Sequence, residues 1–580
     1  MLGQDPERNM HMGLTGWHPY CARPNRPVQF PAGRNRMGLV AAWLLTLLAI
    51  AGGAMAQTAP VSELHDLIAL AEQHEQAHHW LAAAAVYVQL VERDPDNVAW
   101  REALRRCLTQ ERIRQRYQDT RLRAWLGQVP LDDALAVYGE FLGYAEHLFF
   151  GKASPATMWR RSCEQLDWAL DNPAFVELAF HQPPDSECKQ RIRELLRQAH
   201  AIAPQSFQEL LQQLGRQARR LYVREQMRPA LTVWECLAAS CEALDAYGEY
   251  LTPTALLLEK MLADPHTASP GLEISPTDHG LIVAAVVPGS DAARSGVPIG
   301  SRLIAVDGEP VEQESLEGFW LRLLGRKGST VAITVITPAG QTRQWTLSRG
   351  VAMPASLSRL TMLDAMHGVA YVRIESFQPG TVREFDRALQ ELSSQGMRAL
   401  VLDLRSNRGG LVRAALELAD RFIPEGTLAV LQSRLPESSH QYLAQRGDDW
   451  YLPVVVLVDR ETASAAEILA GALQAHARTG RIQAVIVGQP TRGKGEVQYD
   501  LPLARGQAGA SRMTVAQWIL PDGEAVSGRG LQPDVLVKPT LPGDTHTQAL
   551  LADESAMQQA IEHAILEVAR REALRLLKVE

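Results

Sequence analysis

The chain has 580 residues, 46% of them hydrophobic and 21% charged, a globular composition with room for three or four domains. Its net charge of −8 is modest and not concentrated in a long run, and no basic, aromatic-interleaved stretch marks a nucleic-acid surface. The first 36 residues are rich in Pro, Arg and Asn and lack periodicity. Met37 to Ala56 follows Arg34 and Arg36, has a Leu/Ala-rich centre and closes on Ala54-Met55-Ala56. That is the pattern of a secretory signal cleaved before Gln57, with an uncleaved membrane anchor as the alternative. The long leader also fits a start further in, at Met12. Positive charge ahead of the apolar segment puts the rest of the chain outside the cytoplasm in both cases. The expected location is therefore the periplasm, or a membrane anchor facing it or the exterior.

Residues 57–250 are expected to form a helical domain. Leu81 to Tyr87, followed by Asp94-Pro95-Asp96-Asn97, resembles one tetratricopeptide unit, with Ala83, Tyr87 and Pro95 at its characteristic offsets. No clear second copy is present. His74-Glu75-Gln76-Ala77-His78 is a literal H-E-x-x-H, which on a helix would present two zinc-binding histidines and a general base. It lacks a third ligand at a familiar spacing, and His65 and His79 nearby suggest a solvated, histidine-rich face, so metalloprotease chemistry is not expected of it. Five cysteines, Cys107, Cys163, Cys188, Cys236 and Cys241, remain after signal cleavage removes Cys21. The odd count leaves at least one thiol free.

Residues 262–349 resemble a PDZ domain through Leu281 to Val286, Pro288-Gly289-Ser290 and Gly300 to Gly308. The resemblance implies that this β module adds a substrate tail as an extra strand and holds its carboxylate on backbone N–H groups. The loop aligned with that role is Ser269-Pro270-Gly271-Leu272, where Pro270 brings no N–H. From 350 to 540 the pattern alternates: Val369 to Ile374 strand, Val382 to Gly396 helix, Ala399 to Leu404 strand, Leu411 to Phe422 helix, then the buried run Val454 to Val458. This predicts an α/β core with a partly parallel sheet, whose ligand sites collect beyond the carboxyl ends of the strands. Residues 541–580 are expected to be a helical tail.

Ser464 stands between the strand ending at Val458 and an Ala/Leu-rich helix from Ala465, where unpaired N–H groups and the positive dipole end suit a nucleophile. The plainer alternative is an N-cap serine. Lys494 lies thirty residues on, between Gly493 and Gly495, and would serve as base if burial kept its amine neutral. On a strand through Glu496 to Tyr499, positions 494, 496 and 498 would share a face. Gly488 to Lys494 also fits a phosphate loop, G-x-x-x-x-G-K, but Gly495 offers no hydroxyl and a strand comes next in place of the required helix.

Three blocks, Leu402 to Leu411, Thr462 to Leu469 and Gly488 to Gln498, resemble the C-terminal processing (tail-specific) serine peptidases in order and spacing. With the lead-in Leu244 to Pro253 and the segment ending at Pro533-Asp534, the likeness covers about residues 244–540. It implies a ClpP/crotonase-like core and a Ser464–Lys494 dyad with Gln498 orienting the lysine. The implied serine–lysine mechanism needs no metal and no cofactor. The oxyanion hole would come from the N–H groups of Gly410 and Ala465, with Gly409 the less favoured donor. The implied activity is an exported endopeptidase that cleaves proteins near their C-termini. Its PDZ domain would bind tails or gate the site, and the helical domain would be open to an adaptor. A catalytically silent PDZ and helical scaffold is the alternative. Two positions depart from the family: Ala466 replaces a Ser and Arg408 a Pro. Asp403 and Arg405 are expected to form a structural ion pair.

Overall fold

The computed structural model describes residues 64–579 except 265, 278–279, 312–313, 353–355, 446, 448–449 and 538–553. The leader and the apolar segment Met37 to Ala56 lie outside these residues. No helix among the described residues is long and apolar enough to cross a membrane.

Residues Leu64 to Glu242 are helical throughout, as the sequence pattern predicts. Leu64–Gln76 and Trp80–Arg93 pack as an antiparallel pair against Val98–Gln118, burying Ala83, Tyr87 and Cys107 in a small apolar cluster. Pro155–Ala169 and Pro229–Glu242 continue into the main core, which is contiguous with that of the α/β region. Arg116, Tyr117 and Gln165 converge on the fully buried Glu235 carboxylate at 2.7, 2.6 and 2.5 Å, so this charge is paired as burial demands. Asp119 ties the helical region to the helix Pro253–Leu262. One of its oxygens caps Thr120–Leu126 through the N–H groups of Arg121 and Leu122, and the other accepts from Thr254 N at 3.1 Å.

The module from Thr267 to Ala352 keeps its own core, built on Ile274, Val283, Leu303, Phe319, Ile333 and Leu347. Its main sheet is formed by Leu272–Thr277, Gly280–Val286, Arg302–Val306, Thr330–Ile336 and Thr342–Ser348, all antiparallel neighbours, with the helix Leu316–Leu323 packed on them. The helical region touches this helix directly, since Leu316 N donates to Gln115 Oε1 at 3.0 Å.

The remaining elements build the site: β1 (Glu249–Leu251), β2 (Leu357–Asp364), β3 (Val369–Ile374), α1 (Thr381–Ser394), β4 (Ala399–Asp403), α2 (Val412–Asp420), β5 (Thr427–Ser433), β6 (His440–Leu443), β7 (Val454–Val458), α3 (Ala465–Arg478), β8 (Ala484–Gly488), β9 (Glu496–Pro502), β10 (Ala510–Ile519), β11 (Val535–Leu536) and α4 (Glu554–Leu577). Six strands form one sheet in the order β2-β3-β4-β7-β8-β11, parallel apart from the β2–β3 pair. β4 and β7 are buried along their whole length, the mark of strands covered on both faces. One face meets α1, α2 and α3; the other meets α4, which places Leu566, Ala569 and Ala573 over Tyr371, Val401, Val455 and Val487. A second, antiparallel sheet runs β1-β10-β5-β6, with β9 also on β10.

Candidate active site

β4 and β7 are parallel neighbours, with Asp403 beside Leu457, so the loops leaving their carboxyl ends run side by side. The first carries Gly409-Gly410 into α2 and the second carries Ser464 into α3. Hydrogen bonds lace the two loops together. Ser406 N reaches Asp459 Oδ1 at 2.9 Å, Thr462 Oγ1 donates to Leu404 O at 2.8 Å, and Ala463 N donates to Asn407 O at 2.9 Å. A Cβ placed on Gly409 would lie 2.9 Å from Ser464 Cβ, which shows how closely the turns approach.

Ser464 stands just before α3 at φ 59°, ψ −121°, a conformation costly for a residue with a Cβ. Its side chain is 1% exposed and Oγ makes no hydrogen bond. Ser464 is the N-cap of α3 by position, and the Glu467 carboxylate takes its N–H as in a capping box, but its hydroxyl is not spent on the helix: Glu467 N donates to Ser464 O at 2.9 Å. Strained backbone and an unspent hydroxyl together hold a group in readiness instead of satisfying it. The N–H groups of Ala465 and Gly410 likewise have no acceptor among the described residues, whereas Gly409 N is taken by Asn407 Oδ1 at 2.8 Å. Gly410 has φ 137°, and its backbone presses so close to Phe377 that a Cβ would fall 2.3 Å from Phe377 O.

Lys494 is 2% exposed. Burial, and then the nearby Arg512 charge, pull its amine down from the usual lysine range to about 8, with Glu496 and Glu467 opposing. Nζ lies 5.2 Å from the centre of the Tyr247 ring, on the lead-in to β1. Because Ser464 Oγ has no partner, the hydroxyl and the amine are not hydrogen-bonded to each other in this structure.

Glu467, to which the sequence pattern assigns no role, links the two segments. Its fully buried carboxylate accepts from Ser464 N at 2.8 Å, Lys494 N at 2.9 Å, Gly493 N at 2.7 Å and Thr491 Oγ1 at 2.5 Å. One side chain thus clasps the first turn of α3 to the loop before β9. Burial raises its carboxyl pKa and these donors hold it back. Its place at the third position of a helix, behind Ser464, was the only available signal.

Gln498 departs from expectation. A bulge between Val497 and Gln498 breaks the alternation of β9, and Gln498 Nε2 donates to Thr514 Oγ1 at 3.2 Å, with no hydrogen bond to Lys494. The expected shared face of positions 494, 496 and 498 does not form either, because Lys494 lies outside the strand. Asp403 and Arg405 do pair, with Arg405 Nε to Asp403 Oδ1 at 2.9 Å and Tyr371 OH also on the carboxylate at 2.7 Å. Arg408, in the family's Pro position, pairs with Glu461 of the serine loop at 2.7 Å.

The sequence pattern of Peptidase family S41 matches residues 368–537. A carboxyl-terminal-processing protease of Picosynechococcus sp. is 32% identical over 385 residues, covering 62% of this chain and 89% of that protein. The chain belongs to this family of serine peptidases. Another relative, the carboxyl-terminal-processing protease of Synechocystis sp., is 31% identical over 290 residues, covering 48% of this chain and 66% of its own. Among solved structures, one described as photosystem II D1 C-terminal processing protease shares 27% identity at a TM-score of 0.36, covering 64% of this chain and 99% of that one. An S41 peptidase acts on proteins or peptides, so the hydroxyl and the amine described above are the groups to explain.

The other sequence candidates fare differently. In the Ser269-Pro270-Gly271-Leu272 loop, Pro270 has no N–H and Gly271 N is spent on Ser269 Oγ at 3.1 Å, so two expected carboxylate donors are missing. Gly271 has φ 89°, and a Cβ there would lie 2.1 Å from Ser290 Cβ. The H-E-x-x-H reading fails on geometry. The helix ends at Gln76, His78 has φ 58°, and Glu75 is engaged by Arg106 at 2.8 Å and Cys107 Sγ at 3.1 Å, so the two histidines share no helical face. Among the described residues no group of three or more His, Cys, Asp or Glu is arranged to hold a metal. Cys107, Cys163, Cys188, Cys236 and Cys241 are all free thiols.

Proposed function

We propose that this S41 peptidase cleaves exported proteins near their C-termini, with Ser464 as nucleophile and Lys494 as general base. Lys494 takes the proton as Ser464 Oγ attacks the peptide carbonyl, and the N–H groups of Gly410 and Ala465 receive the developing oxyanion. The protonated amine then returns its proton to the leaving nitrogen. Water, deprotonated by the same amine, attacks the acyl-serine carbonyl, and the amine then returns that proton to Ser464 Oγ as the carboxylate product leaves. The observation that carries this reading is the unspent Ser464 hydroxyl on a strained turn, with the N–H groups of the next residue, Ala465, and of Gly410 also unspent. A buried amine whose pKa is near 8 supports the base assignment, because a neutral fraction exists at working pH. Proton transfer requires the two groups to close to hydrogen-bonding distance, a tightening that substrate commonly brings about.

The Thr267 to Ala352 module is proposed to be a PDZ domain that binds substrate tails or gates the site. With Pro270 and Gly271 contributing no free donor, gating is the better-supported half of that role. Export rests on the Arg-flanked apolar segment before Gln57, which also leaves room for a membrane anchor, and the helical region is the proposed seat of any adaptor.

The test uses an unstructured peptide bearing a free C-terminus. Ser464→Ala and Lys494→Ala should each bind it without cleaving it. Full turnover by Lys494→Ala would remove the lysine from the mechanism.

A further inference from the structure

Asn407 is fully buried between the two loops that carry Gly410 and Ser464, and all of its polar groups are engaged. Its Nδ2 donates to Ile374 O, at the end of β3, at 2.8 Å. Its Oδ1 accepts from Gly409 N at 2.8 Å. Its main-chain carbonyl accepts from Ala463 N at 2.9 Å, one residue before Ser464, and its own N–H donates to Leu404 O at 3.1 Å. The glycine turn is gripped on its other side by Phe377, whose N–H donates to Gly409 O at 3.0 Å and whose carbonyl accepts from Leu411 N at 2.8 Å. Within Gly409 to Leu411, only the Gly410 N–H is left without an acceptor.

We infer that Asn407 is the positioning residue of the oxyanion hole: it takes the Gly409 N–H for itself and thereby leaves Gly410 N–H, beside Ala465 N–H, as the donor for the oxyanion. This deepens the Ser464 reading and rests on it. Two successive glycines would otherwise offer two interchangeable donors on a turn with little to stop it rotating. A planar group that donates at one end and accepts at the other is needed to bridge Ile374 O and Gly409 N, and a carboxamide has that pair where a carboxylate accepts only. Binding the same side chain to Ile374 and, through its main chain, to Ala463 sets the turn against the serine loop. Preorganised donors lose much of their value when displaced by about an ångström, which typically costs on the order of a hundredfold in rate.

The experiment compares full-length wild type, Asn407→Ala and Asn407→Asp in kcat and KM on a tail peptide and in the rate of Ser464 labelling by a fluorophosphonate. Binding of the same peptide is measured in the Ser464→Ala background with and without Asn407→Ala. Asn407→Ala is expected to lower kcat and the labelling rate by about a hundredfold. Its KM, its peptide affinity and the pH midpoint of kcat/KM should stay unchanged, which a collapsed site would not allow. Asn407→Asp keeps the acceptor for Gly409 N while facing Ile374 O with a carboxylate. It should therefore melt at a lower temperature yet retain kcat within about tenfold, and it decides the question if Asn407→Ala does not fold. The inference is overturned if Asn407→Ala keeps wild-type kcat, or if Asn407→Asp loses as much as Asn407→Ala. A wild-type enzyme that is never labelled at Ser464 would sink the nucleophile assignment instead, so the two failures are distinguishable.

Discussion

A lysine amine that is 2% exposed gives up its hydration, and the Arg512 guanidinium adds like-charge repulsion, so Lys494 loses its proton near pH 8 in place of about 10.5. Activity should therefore rise with pH. Under the proposed mechanism, below that value the amine is protonated and cannot accept the serine proton; above it the base form dominates. The expected profile of kcat/KM for an uncharged peptide rises tenfold per pH unit up to about 8 and then levels. Replacing Arg512 by Met removes the repulsion and should move that midpoint to higher pH, whereas a midpoint that stays put would mean that burial alone sets it. Arg512 is also held by Asp500 at 2.7 Å, so the variant's melting temperature should be tracked in parallel.

At the scale of elements, the clasp formed by Glu467 shows both what a sequence reveals and what it conceals. The α/β alternation, β7 and α3 were legible because Val454 to Val458 and Ala465 to Ala475 carry a continuous apolar run and a helix-forming composition, although the helix runs on to Arg478. The proposed pairing of Ser464 with Lys494 rested on the ordered family blocks. Glu467, Asn407 and the Arg512–Asp500 pair were not, because each acts through contacts between segments that no local period encodes. The bulge at Val497 and Gln498 was concealed for a related reason: which strand residue is left unpaired depends on β10, its partner. Glu467 now carries a specific expectation. In Glu467→Gln one acceptor oxygen becomes an NH2 group, which must face either Ser464 N and Lys494 N or Gly493 N and Thr491 Oγ1. Leaving those buried donors unmet should cost about 1–3 kcal/mol of stability. It should also lower kcat more than KM rises, since the proposed nucleophile and base lose their common tether. Urea titration and steady-state kinetics read the two effects separately, and wild-type values in both would show the clasp to be dispensable.

For the whole molecule, α4 supplies a face of the catalytic sheet that the peptidase strands cannot cover themselves. Because β3, β4, β7 and β8 are apolar on both sides, alternate residues Val369, Tyr371, Val401, Val455, Leu457 and Val487 point away from α1, α2 and α3. Leu566, Ala569 and Ala573 of α4 close over them, with Arg570 bound to Asp364 at 3.0 Å and Arg359 to Glu562 at 2.8 Å at the margins. The small side chains at 569 and 573, both 0% exposed, let the helix lie close to the strands. The described part of the tail, expected from the sequence to be a helix of unknown role, thus contributes to the core. A glutamate in place of Ala569 would be buried without a partner beneath the sheet, and we expect it to cost more than about 2 kcal/mol. Its urea midpoint should fall accordingly, while kcat of the remaining folded enzyme stays within about twofold because the helix lies on the face of the sheet away from α3. An unchanged midpoint would mean that α4 detaches readily and that the sheet tolerates an open face; a large loss of kcat at unchanged stability would mean instead that the tail communicates with Ser464.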